Sequence, residues 1–261
     1  MRHSRAALPA IAKQQLRWFN RYIAWYLGRN FHAVHLLRLS SPERLAGYPL
    51  LICLNHPSWW DPLLAIHLSQ RLFAERQHYA PIAAAGMAKY RFFERLGFFG
   101  IEPSSPAGAR RFLNIGQAAL SLPDGAFWVT PQGEFTDVRQ PIDFEAGVGQ
   151  LASRLGRFAM LPIALEYAFW NERYPEAFIA SGPPVLAQSG EEHSAGDWNR
   201  IFAGALQFTQ DQLSERVQRR DKDAFQQLIS GRAGIGGIYD FWRRSKARLA
   251  GKAWQPEHGG H

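Results

Sequence analysis

A histidine and an aspartate stand five positions apart in the stretch LNHPSWWDP, residues 54–62. A carboxylate on one imidazole nitrogen fixes the ring tautomer and stabilises the protonated ring, so the other nitrogen can take a proton from an attacking hydroxyl. General-base catalysis of that kind contributes about 100- to 10,000-fold in rate. His56 and Asp61 are therefore the candidate catalytic pair. On an uninterrupted helix five residues turn by about 140°, so the two side chains meet only if His56 lies in a loop and Asp61 in the first turn beyond it. Pro57 and Ser58 supply such a break. The same residues admit plainer roles. Asp61 before Pro62 makes a good helix N-cap, Ser58 and Asp61 loosely fit a capping box, and His56 alone is compatible with a satisfied loop histidine.

The surrounding elements favour a ligand site. The apolar run YPLLICLN, residues 48–55, reads as a buried strand. His56 then lies just past a strand's carboxyl end, where open α/β sheets bind ligands. Residues 61–76 read as a helix with Pro62 in its first turn. Strand and helix patterns continue to alternate to about residue 185, predicting an α/β fold with a mixed, mostly parallel central sheet flanked by helices. Upstream, residues 9–39 read as helical and amphipathic, with Gly28 a candidate break. Trp18, Tyr22 and Trp25 recur at helical spacing beside a basic row of Lys13, Arg17 and Arg21. From about 196 to 250 the chain also reads as mostly helical, ending in the basic stretch Arg243, Arg244, Lys246 and Arg248, and the tail reads as disordered. The expected division is an N-terminal amphipathic helical region over 1–44, a catalytic-type core over 45–190, and a helical C-terminal extension and tail over 191–261.

Bulk properties narrow the partners. The chain has 261 residues, enough for one large domain, and a formal net charge of +8. That balance favours an anionic partner: nucleic acid, an anionic membrane surface or a phosphorylated substrate. The single cysteine, Cys53, lies inside an apolar run, excludes an intramolecular disulfide and fits a reducing compartment. No apolar stretch reaches the ~18 to 20 residues of a membrane-spanning helix, and the N-terminus lacks a secretory pattern. The expected location is cytoplasmic, with peripheral attachment to the cytosolic face of a membrane. His32 and His35 have no acidic or cysteine neighbour in sequence, so nothing here points to a metal.

The stretch NHPSWWDP after a buried strand resembles the first motif of the glycerophospholipid acyltransferases, which include the 1-acylglycerol-3-phosphate and lysophospholipid acyltransferases. That motif is Asn-His-x-Ser-x-x-Asp, matched by Asn55, His56, Ser58 and Asp61. The family's third block, Phe-Pro-Glu-Gly-Thr-Arg-Ser, resembles TPQGEFT: Pro131 and Gly133 match, while Gln132, Glu134 and Phe135 replace the acid, the threonine and the arginine. The fourth block, an apolar strand containing a proline, is similar to AMLPIALEY with Pro162. The second block departs, with Pro103 where an arginine is usual; Arg110 and Arg111 are the nearest arginines downstream, and Arg139 lies beyond the third block. The resemblance covers roughly residues 45–185.

The resemblance implies that His56 is the general base on an acceptor hydroxyl and that Asp61 orients it. It implies acyl-CoA or acyl-carrier protein as the thioester donor, with no metal and no cofactor. Asn55, Ser58, Pro131, Gln132, Gly133 and Glu134 would border the substrates, with Arg110 and Arg111 as substitute phosphate-binding cations. In the family the block arginines are associated with a glycerol phosphate, which a guanidinium fork suits. Their loss, and Glu134 beside one vacated position, argue against lysophosphatidic acid and for another lipid-like alcohol, such as a lyso-aminolipid or a glycolipid. Two other readings stay open. A catalytically lapsed lipid- or membrane-binding protein of the same fold is suggested by the altered blocks. A nucleic-acid-binding protein is suggested by charge and aromatics, but no binding motif supports it.

Overall fold

The computed structural model describes residues 8–41, 45–89, 91–190 and 192–233. Its centre is β2 (Leu50–Leu54), buried along its whole length. A strand covered on both faces reads as a continuous apolar run, as LLICL does. Leu50, Ile52 and Leu54 enter one core cluster and Leu51 and Cys53 the other, following the two-residue alternation of a strand. Helices α1 (Lys13–Asn30) and α2 (Asp61–Leu72) cover the first face. The second is covered by α4 (Pro106–Leu120), α5 (Ala146–Ala152) and α6 (Ala195–Gln218), with the short α3 (Ala84–Lys89) nearer the sheet's end.

The other strands are β1 (Ala33–Arg38), β3 (Gln77–Ala83), β4 (Phe98–Ile101), β5 (Gly125–Val129), β6 (Phe158–Ala168), β7 (Glu176–Ser181), β8 (Val185–Ala187) and β9 (Gln226–Ser230). Among the described residues they form one sheet in the order β4-β3-β5-β2-β6-β7-β1-β9, with β8 on β6. Pairing is parallel from β4 through to β6 and between β1 and β7; β6–β7, β6–β8 and β1–β9 are antiparallel. The expected mixed, mostly parallel α/β sheet is therefore present.

The sheet order fixes one feature of the site. β5 and β6 lie on either side of β2, so the chain between them must cross over β2. Leaving the carboxyl end of β5, it passes the carboxyl end of β2 before entering α5. Residues 130–136, which resemble the third block, travel in that crossing.

Two helical expectations are corrected. Residues 9–39 are not helical throughout: α1 ends at Asn30, Phe31 turns extended, and AVHLLR becomes β1, paired residue for residue with β7. Apolar residues in AVHLLR fit either period, and the partner that decides the matter lies some 140 positions away. Likewise the helix after residue 196 stops at Gln218, and QQLIS forms β9 on the outer edge of β1. The basic stretch 243–248 and the tail lie outside the described residues.

Candidate active site

β2 ends at Leu54, and Asn55 and His56 follow directly. Asn55 is buried, and its amide is fully occupied. Nδ2 donates to Leu165 O on β6 (3.0 Å) and to Gln210 Oε1 on α6 (2.9 Å), and Oδ1 accepts from Leu165 N (2.7 Å). Gln210 Nε2 in turn donates to Val138 O in the crossing segment (2.7 Å). Asn55 thus ties the end of β2 to its neighbour strand, to α6 and to the crossing loop.

The break after His56 has the form the chemistry requires. Asp61 opens α2 and is wholly buried. His56 Nδ1 lies 2.7 Å from Asp61 Oδ2, which also accepts from Ser58 N (2.9 Å). A carboxylate only accepts, so the shared proton sits on Nδ1, and in the neutral ring the lone pair is then on Nε2. Nε2 receives no hydrogen bond from the described residues. Asp61 does not cap α2: no side-chain cap is present, and its second oxygen is taken by Tyr167. The Tyr167 hydroxyl, on β6, donates to Asp61 Oδ1 at 2.6 Å. Burial first, and then the Asp61 charge, push that hydroxyl well above the usual phenol range, so it stays a donor.

The crossing loop grips His56 by its backbone. His56 N–H donates to Gln132 Oε1 (3.2 Å), and Thr136 N–H donates to His56 O (2.9 Å). The Phe135 ring lies 4.4 Å from the imidazole, centroid to centroid, although Phe135 is otherwise exposed. Pro131 is buried, and its carbonyl accepts from Glu145 N (2.8 Å), closing the loop on itself. Gly133 has φ +75°, and a Cβ there would meet Glu145 Cγ at 3.2 Å. Both the left-handed backbone and the close approach call for glycine.

A cavity of about 640 Å³ opens beside this clamp, lined in part by Gln132, Glu134, Thr136, Asp143 and Glu145. None of its lining residues is basic. Arg110 and Arg111 are exposed on α4 and do not line it. Arg139 is exposed and paired with Asp137, whose carboxyl it holds below the usual carboxylate range through hydrogen bonding. The structure thus brings Asn55, His56, Ser58, Asp61, Pro131, Gln132, Gly133 and Glu134 to one end of the sheet, while Arg110 and Arg111 lie on the opening turns of α4 and do not line this cavity. Cys53 is buried, which pushes its thiol far up, as an inert core thiol requires.

Sequence reasoning missed Tyr167 and Gln210. A polar-tipped residue at the carboxyl end of IALEY, in the strand beside β2, was the available signal for Tyr167. Gln210 carried none. The histidine comparison also changes: His35 is not on a helix and does have an acidic partner, Glu176, with His35 Nε2 2.6 Å from Glu176 Oε2. Among the described residues no group of three or more acidic, cysteine or histidine side chains is placed to hold a metal ion.

No protein-family model matches the sequence, and no curated protein matches it. Among solved structures, the chain is similar to the crystal structure of the 1-acyl-sn-glycerophosphate (LPA) acyltransferase PlsC from Thermotoga maritima, with a TM-score of 0.56 at 13% sequence identity. The match covers 78% of this chain and 80% of that one. At that identity the likeness is one of fold.

Proposed function

We propose that this protein is an acyltransferase that moves a fatty acyl group from an acyl thioester to the hydroxyl of a lipid-like acceptor. The observation that carries this reading is the His56–Asp61 pair: Nδ1 is held on a buried carboxylate and Nε2 is left without a protein partner, at the carboxyl end of the central strand. The acyltransferase fold neighbour and the Asn-His-x-Ser-x-x-Asp match support it independently. In this reaction Nε2 takes the acceptor's proton as its oxygen attacks the thioester carbonyl. The carbon–sulfur bond then breaks, and the imidazolium returns the proton to the leaving thiolate. Asp61 stabilises the imidazolium between those steps. The donor is acyl-CoA or acyl-carrier protein, and the step needs no metal.

The acceptor proposal draws on the cavity beside the Gln132–Thr136 clamp, which His56 itself does not line. Glu134, Asp143 and Glu145 line it with no basic residue among them. Three carboxylates disfavour a phosphate monoester and favour a neutral or amine-bearing head group, as in a lyso-aminolipid or a glycolipid.

A membrane surface would supply such an acceptor. On α1, Leu16, Ile23 and Leu27 face the core, while Trp18, Tyr22 and Trp25 are exposed. Arg21 stacks on Trp18 and Arg29 on Trp25. Ring contacts run without a gap from Trp25 through Tyr22, Tyr26 and Trp60 to exposed Trp59, three positions from His56. Exposed aromatics among arginines suit the interface of an anionic bilayer. No helix of the described residues is long and apolar enough to cross a membrane, so attachment is proposed to be peripheral, on the cytosolic face.

The test is thiol release from long-chain acyl-CoA and from acyl-carrier protein, with lysophosphatidic acid, zwitterionic lysolipids, lyso-aminolipids and hydroxylated glycolipids as acceptors. Release that requires a non-phosphomonoester acceptor is expected. Release with every acceptor equally refutes the head-group reading. No release with any, alongside vesicle binding, leaves a lipid-binding protein that has lost its chemistry. Trp18→Ser with Trp25→Ser is expected to lower partition onto anionic vesicles by about 10-fold.

A further inference from the structure

Asp61 is held by more than the histidine it serves. Its Oδ2 accepts from His56 and from the Ser58 backbone, and its Oδ1 accepts from Tyr167, which stands on β6, 106 positions later. We propose that Tyr167 is a positioning residue for the acyl transfer: its hydroxyl, donated to Asp61 Oδ1, holds the carboxylate in line with His56 and moderates how strongly it retains the imidazole proton. The proposal rests on the reading of His56 as general base.

The placement of Tyr167 is fixed by the fold. β6 lies beside β2, and alternate β6 residues serve both parts of the site. The Leu165 backbone holds Asn55, and two residues on, on the same face, the Tyr167 side chain reaches Asp61. The ring packs 5.8 Å from Phe31, which in turn meets Trp60 edge-on at 4.9 Å. Phe31, just past the end of α1, thus links the Tyr167 ring to the residue preceding Asp61.

The effect on His56 follows from charge. A hydrogen bond donated to one carboxylate oxygen withdraws electron density that the other would offer to Nδ1–H. Removing it leaves Asp61 a stronger partner for the protonated ring and a buried oxygen without a donor. The imidazolium becomes easier to form and harder to discharge. Other charged groups near the dyad are Glu134 in the crossing loop, Glu166 on the opposite face of β6 and bonded to Ser214, and Glu176 on β7, bonded to His35. They are unchanged by a substitution at Tyr167 and cancel in the comparison.

The experiment follows the His56 imidazole by nitrogen NMR against pH in the full chain, as wild type, Tyr167→Phe, Asp61→Asn and the double variant, with acyl-transfer kinetics alongside. In Tyr167→Phe the His56 titration is expected to move up by about half a pH unit. The acid limb of the rate profile should move with it, and kcat should fall by about 10-fold while KM for both substrates stays within about 2-fold. In the Asp61→Asn background, Tyr167→Phe should change neither. An unchanged titration and acid limb in Tyr167→Phe overturns the proposal and makes the tyrosine a space-filler. Should Tyr167→Phe not fold, fluorinated tyrosines at position 167 decide instead. A more acidic phenol should lower the His56 titration in graded steps, and no trend overturns the proposal. The NMR shift does not depend on turnover. A shift without any acyl transfer would keep the coupling and refute the acyltransferase reading.

Discussion

Two histidine–carboxylate pairs in this molecule have nearly the same length, 2.7 Å for His56–Asp61 and 2.6 Å for His35–Glu176, yet they differ in the ring nitrogen that the carboxylate takes. His56 binds its carboxylate through Nδ1, the nitrogen nearest its own backbone, and leaves the distal Nε2 without a protein partner. His35 spends the distal Nε2 on Glu176. Its ring is enclosed by Phe178, Trp170 and Phe225, with centroids 5.0, 6.0 and 5.8 Å away. Both carboxylates are buried. The lesson is that a short, buried histidine–carboxylate contact does not by itself make a base. The nitrogen that remains, and the space beside it, decide.

A third histidine marks the other limit. His78 is buried with no carboxylate bonded to it: Trp128 Nε1–H donates to Nδ1, and Nε2–H donates to Phe73 O. Desolvation lowers it to about 4.

The comparison can be broken most decisively by turnover. His56→Ala is expected to cost about 1,000-fold in kcat and Asp61→Asn about 100-fold, while His35→Ala and Glu176→Gln stay within about 2-fold per folded molecule. An equal loss at His35, read by thiol release, would end the distinction. Stability should divide the pairs the other way. His35→Ala leaves Glu176 buried and unpaired among aromatic rings and should cost about 3 kcal/mol by denaturant unfolding.

His78 sharpens the contrast through pH. Its folded value of about 4 lies below the ordinary 6.5, so between those values the unfolded chain binds more protons. Stability should therefore fall as pH drops from about 6.5 to 4, by up to about 3 kcal/mol from this residue. His78→Gln should remove that part of the slope, and an unchanged slope would contradict a neutral His78. The smallest expected effect concerns the backbone clamp. Gln132→Ala removes the acceptor for His56 N–H and should lower kcat by about 5-fold with the fold retained. No loss there would mean the crossing loop is not needed to hold His56.

Legibility in the sequence followed distance along the chain. His56 and Asp61 are five apart, and the prolines and serine around them showed how they could meet. The strand before them announced itself by an unbroken apolar run. β1 and β9 did not, because AVHLLR and QQLIS are strands only by virtue of their ladder, and β7, which holds β1 in place, lies some 140 positions away. The pairing of His35 with Glu176, absent from the sequence reading, has the same origin.

The sequence alone determined the five-residue spacing of His56 and Asp61, the alternation that makes an α/β sheet, the absence of arginine at positions 103 and 135, and an aromatic row on α1. Tertiary structure decided which of these residues work together. The Gln132–His56 bond exists because β5 and β6 flank β2 and force the loop across its end. Tyr167 reaches Asp61 because β6 is β2's neighbour. Trp18, Tyr22 and Trp25 are left exposed because the other face of α1 meets the core. Local spacing writes contacts within a turn or two into the chain. Contacts across the sheet depend on strand order, which no single segment carries.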